Sequence, residues 1–237
     1  MRHIIHFTSK FDSLRKIITS SSIRLFYCKE EFYLGGERIS SAAHPMVCFS
    51  EYNVNTIDNR HITYGKYGIA LSKKWVDKHQ IHPVLYIDKN SLIAKSLADL
   101  LKARRQNATV QLAPNVRLSI MTIKCFTKNS IGYNSYFGLN DFDFKAENEW
   151  RYVPTKAQIG NNLISQSRSK YLNKQDYYNN KLIDYPLTFS EDDIEYIFVA
   201  TEKEKQIIQN LVAIESKRIK IANWSTELKR RKANAQH

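Results

Sequence analysis

The chain has 237 residues, 43% hydrophobic and 25% charged, with only 7 Gly and 5 Pro, which fits one or two globular domains and excludes a linker-built or disordered protein. Thirty-six Lys and Arg against 23 Asp and Glu leave a net charge of +13, a field that favours polyanions such as nucleic acid, a nucleotide or an acidic protein. No run approaches the ~18 apolar residues of a membrane span, residues 1–6 lack a signal-peptide core, and Cys28, Cys48 and Cys125 form no CxxC, so the expectation is a cytoplasmic protein with reduced thiols and no membrane contact.

In chain order, Arg2–Phe7 reads as a short β-branched strand, followed by an N-cap at Thr8 or Ser9. Phe11, Leu14, Ile17 and Ile18 then lie on one helical face, and Ser20-Ser21-Ser22 ends that helix. Strands are expected at Ile23–Tyr27 and Pro45–Ser50, separated by a turn at Gly35-Gly36. Tyr64-Gly65-Lys66-Tyr67-Gly68 is a glycine-punctuated turn that enters a strand through Leu71, and His82–Ile87 is another strand. Ile93, Leu97, Leu100, Leu101 and Arg104 mark an amphipathic helix that starts near Ser91, and Arg104-Arg105 end it, where the dipole favours cations and no ligand is needed. Val116–Phe126 fits both periods, and the preferred reading is a helix that gives way to a strand near Ile123. Residues 127–145 read as an aromatic loop and Glu147–Val153 as a strand stopped by Pro154. The polar stretch 155–185 is expected to be a flexible insertion. A strand at Ile194–Ala200, a helix at Glu202–Leu211 and a strand at Arg218–Ala222 close the domain. Without regular βαβ alternation the class is α+β: one domain over residues 1–228 with a mixed or antiparallel sheet core and flanking helices, then a basic tail at 229–237.

Standard catalytic signatures are absent from the sequence: there is no P-loop, no GxGxxG, no HExxH and no GxSxG. His79-x-x-His82 has no companion ligands, so no metal is expected. What remains is a set of polar residues on predicted strands. Glu147 and Glu149 alternate around Asn148, so a strand would direct both carboxylates to one face, with Arg151 beside them as a neutralising partner. The run Lys229-Arg230-Arg231-Lys232 could meet a phosphate backbone, and Tyr and Lys residues interleave at 165–185 as in single-strand binders. A solvated tail and tyrosines packed on their own domain are the plainer alternatives.

The segments His6-Phe7-Thr8, Cys48-Phe49-Ser50, His61 to Ile69, Pro83 to Tyr86 and Glu147-Asn148-Glu149-Trp150-Arg151-Tyr152-Val153-Pro154 together resemble the AbiGi family of abortive-infection phage-resistance proteins, in order from about His6 to Val199. The last block is the most specific. The resemblance implies anti-phage defence, and the family's antitoxin label implies a cognate toxin partner. A more distant similarity of layout is to mono-ADP-ribosyltransferases, whose strands carry a His or Arg, then a Ser or Tyr, then a Glu-x-Glu. It implies an ADP-ribosyltransferase-like fold and NAD as substrate, held by His6, Thr8, Phe49, Ser50, Tyr64 and Tyr67, with Glu149 stabilising the oxocarbenium-like charge and Glu147 orienting or deprotonating the acceptor. The +13 charge suggests that this acceptor is nucleic acid or a nucleic-acid-associated molecule. Cys48-Phe49-Ser50-Glu51 departs from that layout, and Arg151 sets a cation beside the catalytic position. The two implied functions are therefore an NAD-using transferase and a non-catalytic antitoxin module.

Overall fold

The computed structural model describes residues 2–105, 111–134 and 137–226. In chain order the strands and helices are β1 (Arg2–Thr8), α1 (Phe11–Ser20), β2 (Ser22–Ile23), β3 (Phe26–Leu34), β4 (Glu37–Asn53), β5 (Tyr67–Leu71), α2 (Lys73–Lys78), β6 (His82–Pro83), β7 (Leu85–Ile87), α3 (Leu92–Ala103) and α4 (Pro114–Cys125). They continue with β8 (Thr127–Asn129), β9 (Ile131–Asn134), β10 (Leu139–Asp143), β11 (Glu149–Tyr152), β12 (Gln166–Ser167), α5 (Arg168–Asn173), α6 (Gln175–Asn180), β13 (Leu187–Thr188), β14 (Ile194–Val199), α7 (Glu202–Gln209) and β15 (Ile219–Ile221). The class is α+β with a mixed sheet. Two compact units divide the chain, and β4 runs from the second unit into the first.

The first unit comprises Met1–Ser22, Phe49–Lys78 and Thr188–His237 within the described residues. β1 is antiparallel to both the end of β4 (Ile5 opposite Ser50) and β5 (His6 opposite Ile69). β14 is antiparallel to β5 and parallel to β15, and α7 supplies the crossover that a parallel pair requires. Thr201 caps α7 and Glu204 reaches back to the Thr201 backbone N–H, a capping box that fixes where this helix begins. Alternation then sorts the side chains. Ile5, Tyr52, Ala70, Phe198 and Trp224 form one buried cluster with Phe7 against it, while Phe49 and Trp75 meet on the other face. Gly65 at φ +125° is required by close approach, because a Cβ there would strike the Thr8 carbonyl, and its own carbonyl accepts from Trp224 Nε1 at 3.0 Å.

The second unit comprises Ile23–Cys48 and His79–Leu187. β3 and β4 form a hairpin from Phe26 opposite Met46 to Leu34 opposite Glu37, closed at Gly35-Gly36. Ser91 caps α3 by accepting from the Ala94 N–H at 3.2 Å, and the α3 face Ala94, Leu97, Ala98 and Leu101 packs with Phe32, Ile87, Ile120 and Met121. The reading of a strand near Ile123 gives way to a helix that runs to Cys125. Pro114 starts it, and Ile120, Met121, Lys124 and Cys125 are buried at helical spacing, whereas Val116 and Leu118 are exposed. Residues 127–145, read as loop, carry the short strands β8, β9 and β10. The stretch 155–185 contains α5 and α6, and Tyr171 and Tyr178 pack their rings on Tyr27. The plainer alternative for these tyrosines is thus the observed one, with Tyr177 exposed under Lys181. Local tyrosine packing is invisible to polarity because the hydroxyls hide it. The basic run Lys229-Arg230-Arg231-Lys232 lies outside the described residues.

Candidate functional site

The Glu-x-Glu block folds differently from a plain strand. Residues Phe144–Glu147 make one 3-10 turn, Asn148 is left-handed at φ 43°, and β11 begins only at Glu149. The two carboxylates therefore do not alternate along one strand. The Asn148 turn brings them together instead, and both accept from Lys128 Nζ, Glu147 at 2.8 Å and Glu149 at 3.1 Å.

On the other side of Glu149 lies Arg151, which is wholly buried. Its Nε donates to Glu149 Oε1 at 2.7 Å and its Nη2 to Glu149 Oε2 at 3.0 Å, a bidentate pair. The same Nη2 reaches Glu30 Oε1 at 2.9 Å, and Nη1 donates to the Cys125 carbonyl at 2.6 Å. The Glu149 N–H donates to Tyr86 Oη at 2.9 Å, and Lys128 Nζ also stands 4.3 Å from the Phe144 ring centre. Three carboxylates, Glu30, Glu147 and Glu149, thus share two cations in a nearly dry site, since all three are less than a tenth exposed.

The electrostatics follow from that geometry. Burial by itself would raise the Glu149 carboxyl, but Arg151 and Lys128, with hydrogen bonds from Arg151 and Cys48, outweigh it and hold the group far below the ordinary carboxylate range. Burial would lower Lys128, and the three glutamates reverse this and push it above an ordinary lysine. Arg151 is raised likewise by Glu149 and Glu30 against its own desolvation. The two cations favour the ionised form of Glu149, and both its oxygens accept from them. A carboxylate so engaged can hold a fold together; stabilising a developing positive charge on a ligand would require giving up Arg151 or Lys128.

The remaining sequence-predicted residues lie in the first unit. Register separates them: Ser50 stands opposite Ile5 and shares its face, whereas His6 and Thr8 project from the other side of β1, with Phe49 packed on the His6 ring at 5.6 Å. Ser50 is buried at 3% exposure. Tyr67, opposite Thr8, donates its hydroxyl to Glu204 Oε1 at 3.0 Å, and Tyr64 is exposed. The structure thus groups His6, Thr8, Phe49 and Tyr67 on one sheet face and Ser50 on the opposite one. His79 and His82 have separate ring neighbours, Tyr152 and Phe126. Among the described residues no group of three His, Cys, Asp or Glu side chains gathers to hold a metal, and no helix is long and apolar enough to cross a membrane.

Sequence reading missed Lys128 and Glu30, whose partners are distant in the chain. It also missed Lys124, and there a signal existed: Arg117, Ile120, Met121 and Lys124 recur at helical spacing, so the buried stripe of α4 carries charge.

Comparison with known proteins places the chain. A family model described as abortive phage resistance protein AbiGi, antitoxin, matches residues 18–200. The chain belongs to the AbiGi family. It is 26% identical over 180 residues to the abortive phage resistance protein AbiGi of Lactococcus lactis subsp. cremoris, an alignment that covers 65% of this chain and 71% of that protein. No solved structure matches it.

Proposed function

We propose that this protein serves anti-phage defence as the non-catalytic antitoxin member of an abortive-infection pair, acting by binding a cognate toxin rather than by turning over NAD. The observation that carries this reading is the clamp on Glu149, whose two oxygens accept from Arg151 and Lys128 in a buried site. The family's description as an antitoxin supports the same assignment. Register adds to it, because Ser50 and His6 occupy opposite faces of one sheet and cannot together grip one nicotinamide riboside within that unit.

A transferase acting on an acceptor associated with nucleic acid is the second reading. It is favoured by the presence of the three residue types in order on strands, His6 on β1, Ser50 on β4 and Glu149 on β11. Nicotinamide release by the purified wild-type protein separates the two, measured alone and with total RNA, DNA and cell lysate. The antitoxin reading expects none. Release that survives purification, with transfer to an acceptor weakened by Glu147→Gln, would make the protein an NAD-using enzyme. Glu147→Gln serves better here than Glu149→Gln, which strips Arg151 of its bidentate partner and would unfold the site. Co-expression with the product of the adjacent open reading frame supplies the positive arm: a complex that persists in high salt supports a protein partner, whereas steep salt sensitivity points to nucleic acid.

A further inference from the structure

A cavity of about 220 Å³ lies against the end of α3 and the start of α4, lined by Arg104, Pro114, Arg117, Leu118, Met121 and Ile164. It belongs wholly to the second unit, and none of Glu30, Lys128, Glu147, Glu149 and Arg151 lines it. Its charges are unbalanced in a way the fold does not explain. Arg104, the C-cap of α3, is a cation at a helix C-terminus, where the dipole favours it. Arg117 is the opposite case. It is the fourth residue of α4, closing the first turn with its N–H on the Ala113 carbonyl at 3.0 Å, near the positive end of the helix dipole. That turn has no acidic residue, and its N-cap, Ala113, has no side-chain acceptor.

The two guanidiniums also oppose each other. Arg104 is held below an ordinary arginine by burial and then by Arg117, and its Nε is buried without a partner. Among the described residues, neither arginine forms an ion pair. Behind the wall the excess continues: His44, fully buried, meets the Ile164 carbonyl through Nδ1 at 3.2 Å and leaves Nε2 unpartnered, and the buried Lys124 Nζ is unpartnered too. His44 lies in the field of both Lys124 and Arg104, and these cations add to burial in keeping its ring neutral.

We propose that this cavity binds a phosphate group, with Arg104 and Arg117 as forked donors. A phosphate has acceptor oxygens for both guanidiniums at once, and one anion removes the Arg104–Arg117 repulsion. The volume favours a single anionic group over a whole nucleotide, since pockets that enclose drug-sized ligands run to roughly 300–1,000 Å³. The rest of the ligand therefore lies outside.

The test is thermal stability of the full chain in phosphate-free buffer, titrated with inorganic phosphate, a nucleoside 5′-monophosphate or a short single-stranded RNA. Wild type should show a saturable rise in Tm with each. Arg117→Glu should melt higher than wild type before any ligand is added, because a glutamate there meets Arg104 and suits the helix end, and it should bind phosphate at least tenfold more weakly. Lys16→Glu, the same charge change at an exposed position on α1, should leave the response intact. Much tighter, steeply salt-dependent binding of the RNA would assign the phosphate to a nucleic-acid backbone, whereas equal affinities would assign it to a small phosphate ester; both uphold the site. The proposal is overturned by a wild type with no saturable response, by Arg117→Glu that melts lower and still binds, or by a Lys16→Glu response as weak as that of Arg117→Glu.

Discussion

The second unit buries charge in two ways. Around Glu149 every cation has a carboxylate and every carboxylate a cation: Arg151 sits between Glu149 and Glu30, and Lys128 bridges Glu147 and Glu149. Among the described residues neither Arg104 nor Arg117 has an ion-pair partner, and the nearby Lys124 and His44 have polar atoms without partners. Burial is costly in both places, but only the first recovers the cost internally. The difference teaches how to separate structural charge from charge that awaits a ligand. An acidic pair whose cations come from the same chain offsets its burial internally, whereas an arginine without an acidic partner among the described residues does not.

The largest effect that would break this comparison is expected at Arg151. Arg151→Met keeps much of the volume but leaves Glu149 and Glu30 buried without their shared cation, and should cost about 3–5 kcal/mol in urea unfolding. A loss below about 1 kcal/mol would mean that the cluster is not the structural element described here.

Next comes pH. His44 is pushed down to about 3, by burial first and then by Lys124, so the native state holds it neutral while the unfolded chain protonates it near pH 6.5. The unfolded state binds the extra proton, so the stabilisation is full above about pH 6.5 and is lost as pH falls toward about 3. Urea midpoints between about pH 6.5 and 5, above the carboxylate range, should therefore fall on acidification. His44→Asn, which keeps a donor for Ile164, should flatten that slope, leaving the smaller share from His3, also lowered by burial. An unchanged slope would show that His44 already carries its charge in the folded protein.

Lys124→Met sharpens the contrast from the other side. The ammonium is lowered by burial despite the nearby Glu30, and its nitrogen is unpartnered, so replacing it with an apolar chain of similar length should raise stability by about 1–2 kcal/mol. Destabilisation in chemical denaturation would place Lys124 with the satisfied group. The smallest effect is the exposed control: Arg2–Glu51 is an ion pair at 3.3 Å with Arg2 about two-thirds exposed, and Arg2→Ala should change stability by less than about 0.5 kcal/mol.

Much of the local structure was legible. The β-branched run of β1, the apolar stripe of α1, the Ser91 cap of α3 and the turn at Gly35-Gly36 all follow from periods and caps that operate over a few residues. The Glu147–Arg151 block was legible as unusual, and so was the neutralising role of Arg151. Its geometry was not, because a left-handed Asn148 replaced the strand alternation that would have aligned the carboxylates.

By itself the sequence determined the α+β class, most helix and strand positions, and the family to which the chain belongs. Tertiary structure alone decided which charges are paired. Glu30 meets Arg151 across 121 positions of sequence, and Lys128 meets Glu147 across 19, contacts that no local rule anticipates because they depend on which strands and turns are brought side by side. Register decided as much: with a side-chain period of two, the pairing of Ile5 with Ser50 puts Ser50 and His6 on opposite faces, though in sequence they look equally suited to one cleft.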